Sequence, residues 1–401
     1  MSNSYKQTAV GRIPKEWEVV RLGDVFQRVT RKNTVNSDNV LTISAQNGLI
    51  KQENFFTKSV ASKDLSNYIL LEKGEFAYNK SYSSGYPMGA TKRLNFYNYG
   101  VLSNLYIYFK IKNGNSDFYE QYFEAGLLNK EIHQIAQEGA RNHGLLNISV
   151  VDFFNILIVL PPLKEQEKIA EILSTCDKVI SNLDELIKAK TNLKTALMQN
   201  LLSAKIRFKE FTDPWQEKFG DKLFKTITEI NQNYDLPILA ISQEFGAIPR
   251  NLIDYKVIVS YKSISNYKVV RKGNFIISLR SFQGGIEYSK YDGICSPAYI
   301  ILKPIQQIFD NFFKYYFKSH DYIQKLNSKL EGIRDGKMVS FKQFSEIKIP
   351  LPNLAEQQKI AEVLSACDDE INLLKDKLSN LKLQKQGLMQ NLLTGKVRVR
   401  V

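Results

Sequence analysis

The chain has 401 residues, 43% of them hydrophobic and 24% charged, which is enough to bury two or more ordinary cores and excludes a fibrous or disordered composition. No apolar run reaches the about 18 residues of a membrane-spanning helix, and the first residues lack a secretory signal's apolar stretch, so a soluble, cytoplasmic protein is expected. Lys and Arg number 55 against 41 Asp and Glu, a net charge of +14, and that surplus favours a polyanionic partner because neutralised phosphates release condensed counterions.

In chain order, residues 17–160 carry β-rich runs at 40–44 and 101–109, a turn-rich stretch at 79–87, and a helical pattern at 117–138. A long helix is predicted to follow. Pro161 and Pro162 suit its start, Glu165 falls in its first turn, and no proline follows for over forty residues. Its apolar residues recur at steps of four and three, through Ile169, Leu173, Cys176, Ile180, Leu183 and Ile187 to Leu197 and Leu201. Residues 215–350 repeat the mixed pattern, with strands expected at 236–242, 274–279 and 299–302 and a helix rich in Phe and Tyr over 310–330. A second long helix closes the chain with the seam Ile360, Leu364, Cys367, Ile371, Leu374, Leu378, Leu381, Leu388 and Leu392, and Gly395 suits its cap. Lys190, Lys194 and Lys385 interrupt the two seams.

The order reflects a duplication. Residues 160–207 and 351–398 align without a gap at an offset of 191, with 24 of 48 positions identical. Fainter echoes precede each copy: Trp17 and Trp215, Lys73-Gly74-Glu75-Phe76 and Lys272-Gly273-Asn274-Phe275, Glu138-Gly139-Ala140-Arg141 and Glu331-Gly332-Ile333-Arg334. Two copies of a scaffold therefore separate regions that have diverged. The expected organisation is an α+β domain over 1–160, a helix over 161–210, a second α+β domain over 211–350 and a helix over 351–401. Helices of about 40 residues span on the order of 60 Å. With a whole domain between them, antiparallel pairing as a coiled coil is the simplest arrangement, although each could instead be a core helix of its own domain.

Two loops are candidate nucleic-acid readers, because each follows the shared Lys-Gly-x-Phe turn and clusters basic, polar and aromatic residues with glycine. One carries Lys80, Tyr82 and Tyr86 and leads to Lys92 and Arg93; the other carries Arg280 and Gln283 before Gly284 and Gly285. Arg suits guanine edges, Gln suits adenine, and glycine permits close backbone approach. An ordinary solvated hairpin is the alternative. Arg141 and Arg334, with Lys337 beside the latter, suit shared phosphate contacts, and a structural ion pair is the alternative there. Most Tyr and Phe are expected in cores.

Catalytic motifs are missing. The only Pro-Pro is Pro161-Pro162, without the Asn or Asp that a methyltransferase motif needs, and no phosphate-binding Gly-x-x-x-x-Gly-Lys loop occurs. Glu346-Ile347-Lys348 matches a nuclease fragment by spelling, yet no Pro-Asp precedes it. His133, His143 and His320 lack partners at metal-ligand spacing. Three cysteines at wide spacing suit neither a disulfide framework nor a zinc site.

Ile13-Pro14-Lys15-Glu16-Trp17-Glu18-Val19-Val20-Arg21-Leu22-Gly23-Asp24 resembles the amino-terminal signature of type I restriction-modification specificity subunits. Leu160-Pro161-Pro162-Leu163-x-Glu165-Gln166-x-Lys168-Ile169-Ala170, its counterpart at 351–361, and the Leu-Met-Gln-Asn-Leu-Leu endings resemble their conserved helices. The second tryptophan motif departs from the pattern by Asp213-Pro214 and a one-residue deletion. The resemblance covers the whole chain. It implies two target-recognition domains reading the halves of a bipartite double-stranded DNA site, with the helices as a ruler. It also implies two modification subunits carrying S-adenosylmethionine, restriction subunits using ATP and magnesium, and no cofactor on this chain.

Overall fold

The computed structural model describes residues 4–56, 61–138, 146–230, 236–253, 264–329 and 339–401. The chain forms two compact units, Met1–Asp184 with Lys377–Val401 and Glu185–Asp376. The dividing points fall inside both long helices, Leu163–Leu201 and Leu354–Leu392, each 39 residues long. Each unit therefore combines the beginning of one long helix with the end of the other. Among the described residues no helix is long and apolar enough to cross a membrane.

The first unit is built around a four-stranded antiparallel sheet in the order Phe26–Arg28, Ile107–Ile111, Phe76–Asn79, Ala90–Arg93. Phe26, Phe76 and Phe109 meet at 5.2–5.7 Å between ring centres, and Tyr119 and Phe123 of the helix Ser116–Glu124 close over them. Edge-to-face contacts of Phe26 with Phe76, Phe109 and Tyr119, and stacking of Phe76 on Phe109, add to what burial alone contributes. A smaller core gathers Leu41, Ile43, Leu71 and Leu102. The expected strand over 101–109 is two strands, Tyr99–Leu102 and Ile107–Ile111, which pair with different partners. The helix expected over 117–138 is also divided, into Ser116–Glu124 and Asn129–Ile135, because Gly126 takes φ +67° between them.

The second unit repeats this topology. Its sheet runs Phe224–Ile227, Ile300–Pro304, Phe275–Ile277, Glu287–Tyr288, and Phe224 is the hub for Phe275, Phe313, Phe317 and Phe344. The helix expected over 310–330 is Asp310–Tyr316 followed by His320–Ser328, with the Ser319 side chain capping the second piece at Tyr322 N–H. Phe and Tyr side chains dominate these cores, while Tyr82, Phe96, Tyr99 and Phe245 are more than half exposed.

Within each unit the long helices are anchored in the same way. Strand Glu18–Arg21 pairs with Leu157–Leu160, and Gln216–Phe219 with Lys348–Leu351. Each pairing sets a tryptophan beside the first turn of a long helix. Trp17 Nε1 donates to Glu165 at 3.1 Å, and Trp215 Nε1 donates to Glu356 at 2.9 Å. Both carboxylates are about 1% exposed, and each receives a two-pronged arginine from the end of the other repeated segment: Arg398 on Glu165, Arg207 on Glu356. The fork fills the remaining lone pairs of a carboxylate that would otherwise be buried unpaired.

Pairing within each unit is antiparallel. In the first, Glu165 meets Arg398, Asp177 meets Lys385 and Asp184 meets Lys382. In the second, Lys190 meets Glu370, Lys194 meets Asp368 and Arg207 meets Glu356. The lysines that interrupt the apolar seams are thus ion-paired, at 2.5–2.7 Å. Ile169, Leu173, Ile360 and Leu364 are buried as the periodicity predicts; Leu388 is 36% exposed, and Met389 takes the buried place.

Candidate nucleic-acid interface

Equivalence between the units can be fixed residue by residue. Phe76 pairs with Arg93 on one side and Phe109 on the other; Phe275 pairs with Tyr288 and Leu302. The backbone N–H of Asn115 donates to Gln166, and that of Phe309 donates to Gln357. Gln121 donates to Asp177 and Tyr315 donates to Asp368, both at 2.7 Å. Residues 80–89 and 278–286 therefore join equivalent strands of equivalent sheets, as expected from the shared turn. Each carries a basic residue, an aromatic and glycine, but the two do not align residue by residue.

The first loop is a hairpin whose tip is closed by reciprocal backbone bonds between Ser83 and Tyr86, with Gly85 at φ +82°. Tyr82 projects at its tip, 62% exposed, and Lys80 is half-buried with its backbone oxygen held by Leu146 N–H at 2.9 Å. Tyr86 turns inward, its hydroxyl donating to Glu124 and the Lys92 ammonium 4.6 Å from its ring centre. Burial, reinforced by the Glu124 bond, raises the Tyr86 hydroxyl well above the ordinary phenol range.

Lys92 and Arg93 were expected to face a nucleic acid; in the structure both are ion-paired to acids of the covering helix. Lys92 is bonded to Glu124 at 2.5 Å with only 11% of its side chain exposed. Arg93, 14% exposed, bridges Asp117 and Glu120 at 2.6 Å each. Both reach across from the edge strand to the covering helix, because the helix presents acids along the side facing that strand. Sequence reading missed this, since partners 24 to 32 residues away carry no periodic signal.

The second loop contains a short helical turn, Ser281–Gly284, in place of a plain hairpin. Arg280 and Gln283 are exposed at its start and middle. The Ser281 hydroxyl, buried, accepts from Ser278 N–H at 2.8 Å and fixes the turn. Gly285 is required on two counts: φ is +80°, and a Cβ there would lie 1.9 Å from the Phe317 oxygen. A neighbour not foreseen from sequence is the turn at 243–245. Gln243 Nε2 approaches the Arg280 oxygen at 3.4 Å, its side chain lies where a Cβ on Gly284 would sit, and Phe245 is 56% exposed beside it. Arg141, Arg334 and Lys337 lie outside the described residues.

The arrangement is thus a duplicated α+β unit that offers, at one corresponding place, two loops of unrelated sequence on a common frame. The class this defines is a protein with two related recognition modules, and comparison with known proteins makes it specific. The model of the type I restriction modification DNA specificity domain matches twice, over residues 14–192 and 215–383, and the chain belongs to that family. A Methanocaldococcus jannaschii chain named for the MjaX type I restriction enzyme specificity subunit is 27% identical, covering 99% of this chain and 97% of its own. The MjaVIII specificity subunit of the same organism is 26% identical, at 99% and 96%. In fold, the chain is similar to the S subunit of a type I restriction-modification system from M. genitalium. That structure has TM-score 0.52 and 17% identity, covering 94% of this chain and 96% of that one.

Proposed function

We propose that this chain is the sequence-reading subunit of a type I restriction-modification complex, each unit reading one half of a bipartite, asymmetric double-stranded DNA site. The long helices act as an antiparallel coiled-coil spacer that sets the distance between the half-sites. Two modification subunits dock on them and carry S-adenosylmethionine and adenine methylation; restriction subunits add ATP- and magnesium-dependent translocation and cleavage. This chain contributes no catalytic group and takes no cofactor of its own.

The observation that carries this reading is the contrast between frame and loops. The frame contacts recur with the same chemistry in both units, Trp-Glu-Arg and Asp-Lys, while the equivalent loops keep only a similar residue mix and differ in the order and identity of their side chains. Duplicated frames with unlike loops suit two unlike half-sites. The surplus of cations supports DNA as the partner. Exposed Val179, Leu186 and Leu193 recur every seven residues on the first long helix, which supports docking of another subunit along it.

The test is co-expression with a modification subunit and mapping of adenine methylation across the host genome. A two-part motif with a fixed spacer, lost when this chain is omitted, is the expected result. Methylation that persists without the chain refutes the reading, and an assembled complex that never methylates leaves a protein-binding scaffold in its place.

A further inference from the structure

The residue-by-residue equivalence exposes a reversal. On the edge strand, Lys92 corresponds to Glu287, since each lies opposite the residue that follows the Lys-Gly-x-Phe phenylalanine, Ala77 and Ile276. On the covering helix, Glu124 corresponds to Lys318, nine residues beyond Asn115 and Phe309. In the first unit Lys92 is bonded to Glu124; in the second Lys318 is bonded to Glu287. The same two places are tied by the same kind of bond with the charges exchanged.

Each tie also grips the loop above it. Glu124 accepts the hydroxyl of Tyr86, the last residue of the first hairpin tip, and Lys92 donates to that hydroxyl at 3.1 Å. Lys318 donates to the backbone oxygen of Gln243 at 3.3 Å, and Gln243 in turn holds the Arg280 oxygen and fills the space over Gly284. At the edge strand the sign of charge is reversed, so a phosphate contact made by Lys92 would have no counterpart at position 287. What the two pairs have in common is the tie between edge strand and covering helix.

We propose that Lys92–Glu124 and Glu287–Lys318 are positioning pairs that hold the two reading loops against their covering helices, so that each pair governs the selectivity of one half-site only. The proposal rests on the DNA-reading role of these loops. Reading a base edge demands that a loop be held to within a fraction of an ångström, and a strand-to-helix tie under its stem meets that demand. One member of each tie is sequestered, Lys92 at 11% and Glu287 at 2% exposed, against 36% for Glu124 and 25% for Lys318, so water competes for the tie from one side only.

The experiment uses the complex assembled with modification subunits, scored by methylation of a DNA library randomised in each half-site. Glu287→Lys and Lys318→Glu, singly, are expected to raise methylation of mismatched sites about tenfold relative to cognate in one half and leave the other half unchanged. The double exchange, which copies the polarity of the first unit, is expected to restore selectivity. Lys92→Glu, Glu124→Lys and their double are expected to act in the same way on the opposite half. Where a single reversal prevents assembly, Lys318→Gln and Glu124→Gln break the tie without adding repulsion and carry the test. Selectivity within twofold of the parent in assembled single variants overturns the proposal, as does equal relaxation of both halves or a double exchange that fails to restore. Arg280→Ala and Gln283→Ala separate the two levels. If they leave their half-site unchanged, the loop's reading role fails; if they relax it while the pair variants do not, only the positioning proposal fails.

Discussion

Replacing Gly395 by alanine puts a number on how the end of a long helix is held. Gly395 and Ala204 occupy equivalent places after the two long helices, and both adopt left-handed backbone, at φ +68° and +57°. A non-glycine residue there costs about 1–2 kcal/mol, offset by about 0.4–1 kcal/mol of reduced unfolded-state entropy. At Gly395 the new Cβ would also lie 2.4 and 2.8 Å from the Pro14 ring and 3.2 Å from that of Trp17, overpacking that typically costs about 1–3 kcal/mol. The sum is about 1–4.6 kcal/mol of destabilisation in the first unit. In guanidinium, with a slope near 4 kcal/mol per molar, the midpoint should fall by roughly 0.25–1.2 M. The chain has two tryptophans, one per unit, so fluorescence of the full chain in a Trp215→Phe background follows Trp17 alone. The reverse change, Ala204→Gly, should stabilise the second unit by about 0.5–1 kcal/mol, followed through Trp215 in a Trp17→Phe background. A Gly395→Ala shift too small to measure, or an Ala204→Gly variant less stable than its parent, would refute the claim that backbone handedness and the Pro14–Trp17 contact decide these positions.

Trp17→Phe keeps most of the apolar bulk and removes the bond to buried Glu165; it should cost about 1.5–3 kcal/mol by far-ultraviolet circular dichroism in denaturant. Burial pushes the Glu287 carboxyl up to about 7 against the opposing pull of Lys318. The folded state then holds a proton that the unfolded chain releases near its ordinary value, so this group's contribution to stability falls as pH rises from about 4.5 to 7. Glu287→Gln should flatten that part of the stability–pH curve, and an unchanged slope would show that Glu287 does not titrate there. Arg280→Ala, in the assembled complex, should weaken cognate DNA binding about ten- to a hundredfold and relax selectivity at one position, measured by fluorescence anisotropy; equal weakening on all sequences would make it a phosphate contact instead.

Much of this molecule is written locally. The gapless repeat, the two helices of 39 residues and their seams follow from periodicity and from the absence of proline, which act within a few turns of chain. The place of the two equivalent loops is legible for the same reason, since each follows a short shared motif. Tertiary structure alone decided where the charged side chains ended up. Lys92 and Arg93 look like free cations in sequence, and the acids that engage them belong to a helix whose side facing the strand emerges only on packing. Arg207 and Arg398 look like unremarkable basic endings, yet they reach Glu356 and Glu165, 149 and 233 residues away, to complete a carboxylate that burial would otherwise leave unpaired. Charge pairing depends on distance in space and not on spacing along the chain, so the sequence determined the frame and its duplication, and only the fold decided which charges hold it closed and which remain free to meet a partner.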